Sequence, residues 1–361
     1  MSLENNIPVP VARPMLPPPH AVAPYIEEMH ERGIFTNNGP LVQRLEARIA
    51  ALVNVDSSRV VVANSGTQAL ESLVAVMEPR VWWVPDWTFT ATGLAVLSAG
   101  KQLCIGDVDE RSWRLDRYPS DLAEGAIVVA PFGGAVDTAS LPPASTVIVD
   151  AAASLGGLED LAGLGESHAV MFSLHATKVF GCGEGGVAIC GSEHVARQVR
   201  SHINFGFAGE RVSTIQSVNG KMSEIHAAYA HASLDNLVEE SQEWSLAHSR
   251  AQTISDRLEL NLGPTGLSTV HPYWIVDFET AERRAAVEEA LTKEEIGFRQ
   301  WWPVPLSQMP AFGGHPSAPN PVSAALSASV LGLPSFRGMP VEAFARIETT
   351  VSGALAQRLP A

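Results

Sequence analysis

Two residues of this 361-residue chain lie where open α/β proteins bind their ligands. Asp150 ends the apolar segment 146–149, and Lys178 follows the apolar segment 169–172, just before a glycine-rich turn. Short continuous apolar segments predict strands that are buried on both faces. Because open α/β sheets bind ligands beyond the carboxyl ends of their strands, we expect Asp150 and Lys178 to serve a ligand site.

A lysine and a carboxylate at such an edge suit an aldehyde cofactor with a basic ring. A lysine amine forms a Schiff base with an aldehyde, and a carboxylate keeps a pyridine nitrogen protonated, which improves the ring as an electron sink. The predicted helix start at Ser65-Gly66-Thr67 offers backbone N–H groups and a small hydroxyl for a phosphate. Together these features favour pyridoxal 5'-phosphate as the cofactor.

Each feature also has an ordinary explanation when it is taken alone. Lys178 could be a solvated loop lysine, Asp150 a strand-end or capping residue, and Gly66-Thr67 an ordinary helix start. Their order along the chain is harder to obtain by accident, because Gly-Thr follows the first predicted strand and Thr88-Phe89 follows the second. The aspartate and the lysine then follow two later strands.

Other catalytic motifs are missing or stand in the wrong context. The chain contains no HExxH, no GxSxG and no Walker phosphate loop. Residues 181–186 match GxGxxG but precede a predicted strand, whereas a dinucleotide fingerprint opens a helix. We therefore interpret these glycines as a turn. No metal site is expected, since the three cysteines form no CxxC pair.

Seven apolar segments and the helices between them must position these residues. The predicted strands are 60–63, 81–84, 102–105, 126–129, 146–149, 169–172 and 186–189. Apolar residues at helical spacing predict helices over 41–52 and 68–77. This alternation predicts an α/β fold with a mostly parallel seven-stranded sheet between helices.

The composition and the hydrophobic pattern of the chain change after about residue 240. Charge-rich helical segments and proline-rich connections between 303 and 321 replace the apolar segments. We expect a large ligand-binding domain at 1–240, with an N-terminal arm at 1–35, and a smaller C-terminal α+β domain at 241–361.

Composition excludes several functional classes. With 24 Lys plus Arg against 39 Asp plus Glu, the net charge of −15 disfavours binding to nucleic acid. No apolar run reaches the roughly 18 residues of a membrane span, and the N-terminus lacks a signal-peptide core. We expect a cytoplasmic protein that binds neither nucleic acid nor membrane.

Seven motifs, in this order, resemble those of one family over nearly the whole chain. They are residues 36–40 (TNNGP), 64–70 (NSGTQAL), 87–92 (WTFTAT), 149–152 (VDAA), 172–178 (FSLHATK), 183–186 (GEGG) and 219–224 (NGKMSE). The family is the DegT/DnrJ/StrS group of pyridoxal-phosphate-dependent sugar aminotransferases, of fold type I. The motifs are most similar to those of members that make dTDP-4-amino-4,6-dideoxyglucose.

The resemblance implies a role for each matching residue. Lys178 would form the Schiff base, Asp150 would pair with the ring nitrogen, and Phe89 would stack on the pyridine. The phosphate would be held by Ser65, Gly66, Thr67 and Ser173, with Asn219 reaching in from a neighbouring subunit. The resemblance therefore implies a homodimer with two shared active sites.

The implied reaction moves an amino group from an amino acid, glutamate in our prediction, to a keto-deoxysugar nucleotide such as a dTDP-4-keto-6-deoxyhexose. Candidate substrate residues are His175, Glu184, Arg299, Trp301 and Trp302, with Arg299 near the phosphates and the tryptophans stacked on the base or sugar. Packing at the domain seam is the alternative role of the tryptophans. A keto-cyclitol or 3-keto sugar aminotransferase, or a non-catalytic cofactor-binding regulator, are alternative functions.

Two residues depart from the family pattern. Ala153 stands where members usually carry His or Gln in contact with the cofactor's phenolic oxygen, and alanine cannot make that hydrogen bond. Ser307 stands where many members carry the histidine of Pro-Leu-His. Both departures bear on the substrate more than on the cofactor.

Overall fold

The seven apolar segments form one sheet, as predicted. The computed structural model describes residues 8–115, 123–141, 145–157 and 160–356. The strands are β1 (Val60–Ala63), β2 (Val81–Pro85), β3 (Gln102–Gly106), β4 (Gly125–Val129), β5 (Thr146–Asp150), β6 (His168–Ser173) and β7 (Gly186–Cys190). Their order across the sheet is β1-β7-β6-β5-β4-β2-β3, and only β7 runs antiparallel to its neighbours.

Helices cover both faces of this sheet. They are α1 (Pro19–Arg32), α2 (Pro40–Leu52), α3 (Gly66–Val76), α4 (Thr90–Ser98), α5 (Glu193–His202), α6 (Glu224–Asp235), α7 (Leu237–Arg257), α8 (Ala281–Lys293), α9 (Pro321–Ser329) and α10 (Val341–Ala356). Two separate apolar cores lie on opposite faces, which explains why the strands lack polar alternation. Within the described ranges, no helix combines the length and apolar character needed to cross a membrane.

A second, smaller sheet follows α7. Its strands are β8 (Asn261–Leu262), β9 (Trp274–Asp277), β10 (Arg299–Gln300) and β11 (Val330–Leu333), all paired antiparallel in the order β10-β11-β9-β8. Residues of α7, α8 and α10 pack a third core against it. Val9 of the N-terminal arm belongs to that core and bridges Ile296, so the arm reaches the second sheet. The division at residue 240 stays a prediction.

Two buried or half-buried aspartates attach the proline-rich connection to the first sheet. Asp86, directly after β2, accepts hydrogen bonds from Ser307 Oγ at 2.8 Å and Asn320 Nδ2 at 2.8 Å. Asp107, directly after β3, accepts hydrogen bonds from the backbone N–H groups of Val322 at 2.9 Å and Ser323 at 2.8 Å, at the start of α9. These contacts hold the segment that carries the two tryptophans over the edge of the sheet where the strands end.

Candidate active site

A cavity of about 460 Å³ opens at the carboxyl ends of the strands. All but one of the residues that the sequence singled out line this cavity: Ser65, Gly66, Thr67, Phe89, Asp150, Ser173, His175, Lys178, Glu184, Arg299, Trp301 and Trp302. Because β1, β2, β4, β5 and β6 run in one direction, the residues that follow them meet at one edge. The cavity is of the size that small-molecule sites have.

Lys178 lies on a tight loop between β6 and β7. Backbone hydrogen bonds from Leu174 to Gly185 and from Ala176 to Gly183, both 2.9 Å, pair the two sides of this loop. The glycine-rich segment is thus a turn that leads into β7, as predicted, and not the start of a helix. The Lys178 amine donates a hydrogen bond to the Tyr273 hydroxyl at 2.8 Å.

Asp150 ends β5 at the base of the cavity and is 6% exposed. Its carboxylate accepts hydrogen bonds from Thr92 Oγ1 at 2.8 Å and from the Ala152 N–H at 3.3 Å, and both donors are neutral. Burial raises the pKa of Asp150, while the Thr92 and Ala152 hydrogen bonds and the Lys178 charge act against that shift. A protonated ring nitrogen in the cavity would give this carboxylate a nearby opposite charge.

The start of α3 and the end of β6 bring together Ser65, Gly66, Thr67 and Ser173, which we call the phosphate cradle after the role predicted for them. Ser65 caps the helix by accepting the Gln68 N–H at 3.1 Å, whereas the N–H groups of the first helical residues, Gly66 and Thr67, have no acceptor within the helix. A Cβ at Gly66 would lie 3.0 Å from Ser173 Cβ, which is tighter than ordinary packing. The cradle is therefore narrow, and a helix N-terminus with small hydroxyls suits an anion.

Phe89 lies at the rim of the same cavity, directly before α4, and is 58% exposed. An exposed aromatic ring beside a buried carboxylate, a phosphate cradle and a lysine amine offers a surface for a flat ring. Pyridoxal phosphate fits this set of groups: Lys178 for the aldehyde, Asp150 for the ring nitrogen, the cradle for the phosphate and Phe89 for the ring face.

A second group of side chains closes the opposite side of the cavity. We call Phe132, Tyr273, Trp301 and Trp302 the aromatic wall. Phe132 stacks on Trp302 with ring centroids 4.9 Å apart and planes 20° apart, and it meets Trp301 edge to face at 5.3 Å. Phe132 and Trp302 have φ of 55° and 45°, in the left-handed region that bulky residues rarely adopt. The fold therefore holds both rings in place against a local backbone preference.

The remaining predicted substrate residues stand at the mouth of the cavity. His175 Nε2 lies 3.8 Å from Glu184 Oε1, and its Nδ1 is 2.8 Å from Thr177 Oγ1. The Arg299 guanidinium lies over the Trp301 ring, 5.0 Å from the centroid. A cation and a carboxylate–imidazole pair thus face the same opening, which suits a polar or anionic substrate.

Asn219 does not line the cavity of its own chain. Its side-chain oxygen accepts a hydrogen bond from Lys221 Nζ at 2.6 Å, and its backbone bridges to Asn204. Lys221 Nζ also lies 4.2 Å from the centroid of the exposed Phe205 ring. The predicted role of Asn219 in a neighbouring subunit stays a prediction.

The two departures from the family pattern have different surroundings. Ala153 lines the cavity and presents only a methyl group there. Ser307 does not line it; its backbone N–H and its hydroxyl both bind Asp86, at 2.7 and 2.8 Å. Ser307 thus serves to attach the proline-rich connection.

Sequence reasoning missed three residues that shape the site: Thr92, Phe132 and Tyr273. Thr92 ends the motif 87–92 and stands one helical turn after Thr88, whose hydroxyl is 3.0 Å from its own; these two features are the signals that could have found it. Phe132 follows β4, and Tyr273 directly precedes β9. Nothing in the local sequence of Phe132 or Tyr273 distinguishes them from packing residues.

Comparison with known proteins agrees with these features. Residues 20–352 match the DegT/DnrJ/EryC1/StrS aminotransferase family. The dTDP-4-amino-4,6-dideoxy-D-glucose transaminase of Shigella dysenteriae is 31% identical over 244 residues, which cover 64% of this chain and 65% of that protein, just under two thirds of its length. The UDP-N-acetyl-3-dehydro-alpha-D-glucosamine 3-aminotransferase of Acidithiobacillus ferrooxidans is 26% identical, covering 85% of this chain and 86% of that protein.

Solved structures share the whole architecture. A crystal structure of DesI, determined in the presence of its TDP-sugar product, matches with a TM-score of 0.86 and 26% identity, covering 97% of this chain and 94% of that chain. The fold is therefore that of the fold-type I aminotransferases. Because the family model matches residues 20–352, the chain belongs to the DegT/DnrJ/EryC1/StrS aminotransferase family.

Proposed function

We propose that the protein transfers an amino group from L-glutamate to the keto group of a deoxysugar nucleotide, with a dTDP-4-keto-6-deoxyhexose as the acceptor. The observation that carries this proposal is that Lys178, Asp150 and the phosphate cradle lie on one cavity. The names of the relatives point to sugar nucleotides and differ between 4-amino and 3-amino products. A 3-keto sugar or a keto-cyclitol is accordingly the alternative acceptor.

Pyridoxal phosphate, when bound, supplies the aldehyde and the electron sink. Asp150 would hold a proton at the ring nitrogen, because its buried carboxylate would gain a cationic partner there. The cradle would hold the phosphate, and Phe89 would offer its ring face to the cofactor ring. Lys178 Nζ is the group placed to take a proton from the amino donor's α-carbon and to return one to the sugar carbon.

The order of addition separates this function from that of a cofactor-binding regulator. Purified protein loaded with pyridoxal phosphate should lose its Schiff-base absorption when L-glutamate is added and recover it when the keto sugar nucleotide follows. Absorption that stays unchanged with glutamate would contradict the transferase and favour the regulator. Parallel assays with dTDP-4-keto and UDP-3-keto sugars then decide between acceptors, since the correct one restores the spectrum at the lowest concentration.

We also propose a homodimer in which Asn219 reaches the cradle of the neighbouring subunit. Support comes from exposed apolar residues in the same segment between α5 and α6, namely Phe205, Val212 and Ile215, because large exposed apolar patches mark protein contacts. Phe35 is likewise exposed and its carbonyl accepts the Glu224 N–H at 3.0 Å, near the same motif.

Subunit mixing tests this arrangement. Inactive Lys178→Ala protein and inactive Asn219→Asp protein are combined under conditions that exchange subunits. If the sites are shared, one site of a mixed dimer carries both changes and the other carries neither, so activity should return. Continued inactivity in demonstrably mixed dimers would show that Asn219 does not serve the partner's site.

A further inference from the structure

The hydroxyl of Tyr273 is the hydrogen-bond partner of the Lys178 amine. Nζ donates to this oxygen at 2.8 Å, and it also lies 5.4 Å from the centroid of the Tyr273 ring. Tyr273 precedes β9 of the second sheet, whereas Lys178 follows β6 of the first. This single contact therefore links the amine on the first sheet to an element that folds around a different core.

The surrounding side chains fix the Tyr273 ring. Phe132 meets it edge to face at 5.7 Å and 81°, and Trp301 does so from another side at 5.0 Å and 85°. The Tyr273 backbone N–H donates to Nδ1 of His271 at 3.3 Å, and His271 is itself 3% exposed. The position of the ring, and with it of the hydroxyl, is thus supported by Phe132 and Trp301 and by the hydrogen bond of the Tyr273 backbone to a buried histidine.

We propose that Tyr273 is a positioning residue for Lys178. By accepting one N–H of the amine, the hydroxyl fixes where Nζ stands and leaves the nitrogen's remaining valences for the cofactor and the migrating proton. A lysine side chain has several rotatable bonds, so an amine without this contact samples many positions. Misplacement of a reacting group by about 1 Å lowers the reaction rate strongly. The inference concerns the same site as the proposed aminotransferase function and rests on it.

Tyr273→Phe tests the inference because it removes only the oxygen and keeps the ring between Phe132 and Trp301. The first measurement uses the apo-protein and requires no turnover. We expect the rate of Schiff-base formation with pyridoxal phosphate, followed by absorbance, to fall by about tenfold. Affinity for pyridoxamine phosphate, which has no aldehyde and depends on the cradle and Asp150, should stay unchanged.

The second measurement separates positioning from packing in the loaded enzyme. We expect kcat to fall by about tenfold or more while KM for both substrates is unchanged, and we expect the isotope effect with 2-deuterated glutamate to increase because proton transfer becomes limiting. Tyr25→Phe is the matched control, since the Tyr25 hydroxyl binds Asp235 at 2.5 Å, away from the cavity. The control should match the wild type in both measurements.

Three results would overturn the inference. They are Schiff-base formation at the wild-type rate, a parallel loss of pyridoxamine phosphate affinity, and a drop in kcat without a larger isotope effect. Failure of the proposed function looks different: wild-type protein would capture pyridoxal phosphate normally and give no response to glutamate. The capture rate of Tyr273→Phe would still report on the Lys178 contact in that case.

Discussion

The two sides of the cavity are built in different ways. The cofactor side consists of residues at or shortly after the ends of strands of the first sheet, including Asp150 and the phosphate cradle. The aromatic wall gathers Phe132 from the first sheet with Tyr273, Trp301 and Trp302 from around the second. The cofactor side is polar and supported by hydrogen bonds such as those from Thr92 to Asp150 and from Gln68 to Ser65, whereas the wall is largely apolar and supported by ring contacts.

This difference suggests that the two sides serve different ligands, one the cofactor and the other the sugar nucleotide. The cofactor side can be complete as soon as the first sheet has formed, because the carboxyl ends of parallel strands lie at the same edge of the sheet. The wall forms only when the second sheet and the proline-rich connection are in place, so it can vary without loss of the cofactor. We expect changes on the cofactor side to affect the cofactor and every substrate. Changes in the wall should affect the sugar nucleotide selectively, except at Tyr273, whose hydroxyl binds the Lys178 amine.

The largest effect should come from Lys178→Ala. Removal of the amine eliminates both the covalent link and the proton carrier, so amino transfer should be abolished. Borohydride reduction of the loaded wild type, followed by peptide mass mapping, should place a pyridoxyl group on Lys178, and the variant should carry none. A label on a different lysine would contradict the assignment.

Asp150→Asn should come next, with amino transfer slowed by about 100-fold or more, because the ring nitrogen loses its charged partner. Cofactor affinity should change little, since the amide keeps the size and can still accept the Thr92 hydrogen bond. Single-turnover absorbance with glutamate measures the effect.

Asp86→Asn is the matched control, because Asp86 also follows a strand but binds Ser307 and Asn320 instead of facing the cavity. This control should lower the unfolding midpoint and leave the single-turnover rate near that of the wild type. Equal rates for the two variants would show that Asp150 has only a structural role.

Gly66→Ala should weaken cofactor binding by about tenfold, because the new methyl meets Ser173 Cβ at 3.0 Å and narrows the cradle. Titration with pyridoxamine phosphate measures this affinity directly. Gly353→Ala is the control: it lies in α10 with no atom within 4 Å of the added carbon, so it should leave affinity unchanged and stabilise the helix by up to about 1 kcal/mol. Unchanged affinity in Gly66→Ala would show that the phosphate binds elsewhere.

The two sides also differ in how far sequence alone predicts them. Asp150, Lys178 and Ser65-Gly66-Thr67 could be found because strand ends, helix starts and glycine turns leave local signals in the chain. Tyr273 could not, since its contact with Lys178 depends on how two sheets pack across about a hundred residues of intervening chain. Trp302 stands out in the sequence as a large aromatic residue, yet its stacking on Phe132 depends on positive φ angles at both residues, which their residue types disfavour.

Trp302→Leu tests the selectivity expected of the wall. Loss of the stacked ring should raise KM for the sugar nucleotide by about 2- to 10-fold, the usual range for an aromatic contact, and should leave KM for glutamate unchanged. The glutamate value is the internal control, because both half-reactions use the same cofactor. If both KM values rise together, Trp302 acts through packing at the seam between the sheets.

The smallest effect concerns His271, whose Nδ1 accepts a hydrogen bond from the backbone N–H of Tyr273 in the aromatic wall. Burial, together with the nearby His248, lowers the pKa of His271 from its usual value near 6.5 to about 3. Below pH 6.5 the unfolded chain therefore binds a proton at His271 that the folded chain does not bind, so the free energy of unfolding should fall as the pH drops from 6.5 towards 3.

The variant His271→Gln tests this expectation, because it removes the titration and can still accept the Tyr273 N–H. Urea unfolding at pH 7.5, 6.0 and 5.0 should show the variant less stable than the wild type at the highest pH, with a gap that narrows as the pH falls. Other buried histidines cancel in this comparison, because both proteins contain them. A gap that stays constant would mean that His271 has the same pKa in the folded protein as in the unfolded chain, which would contradict the lowered pKa.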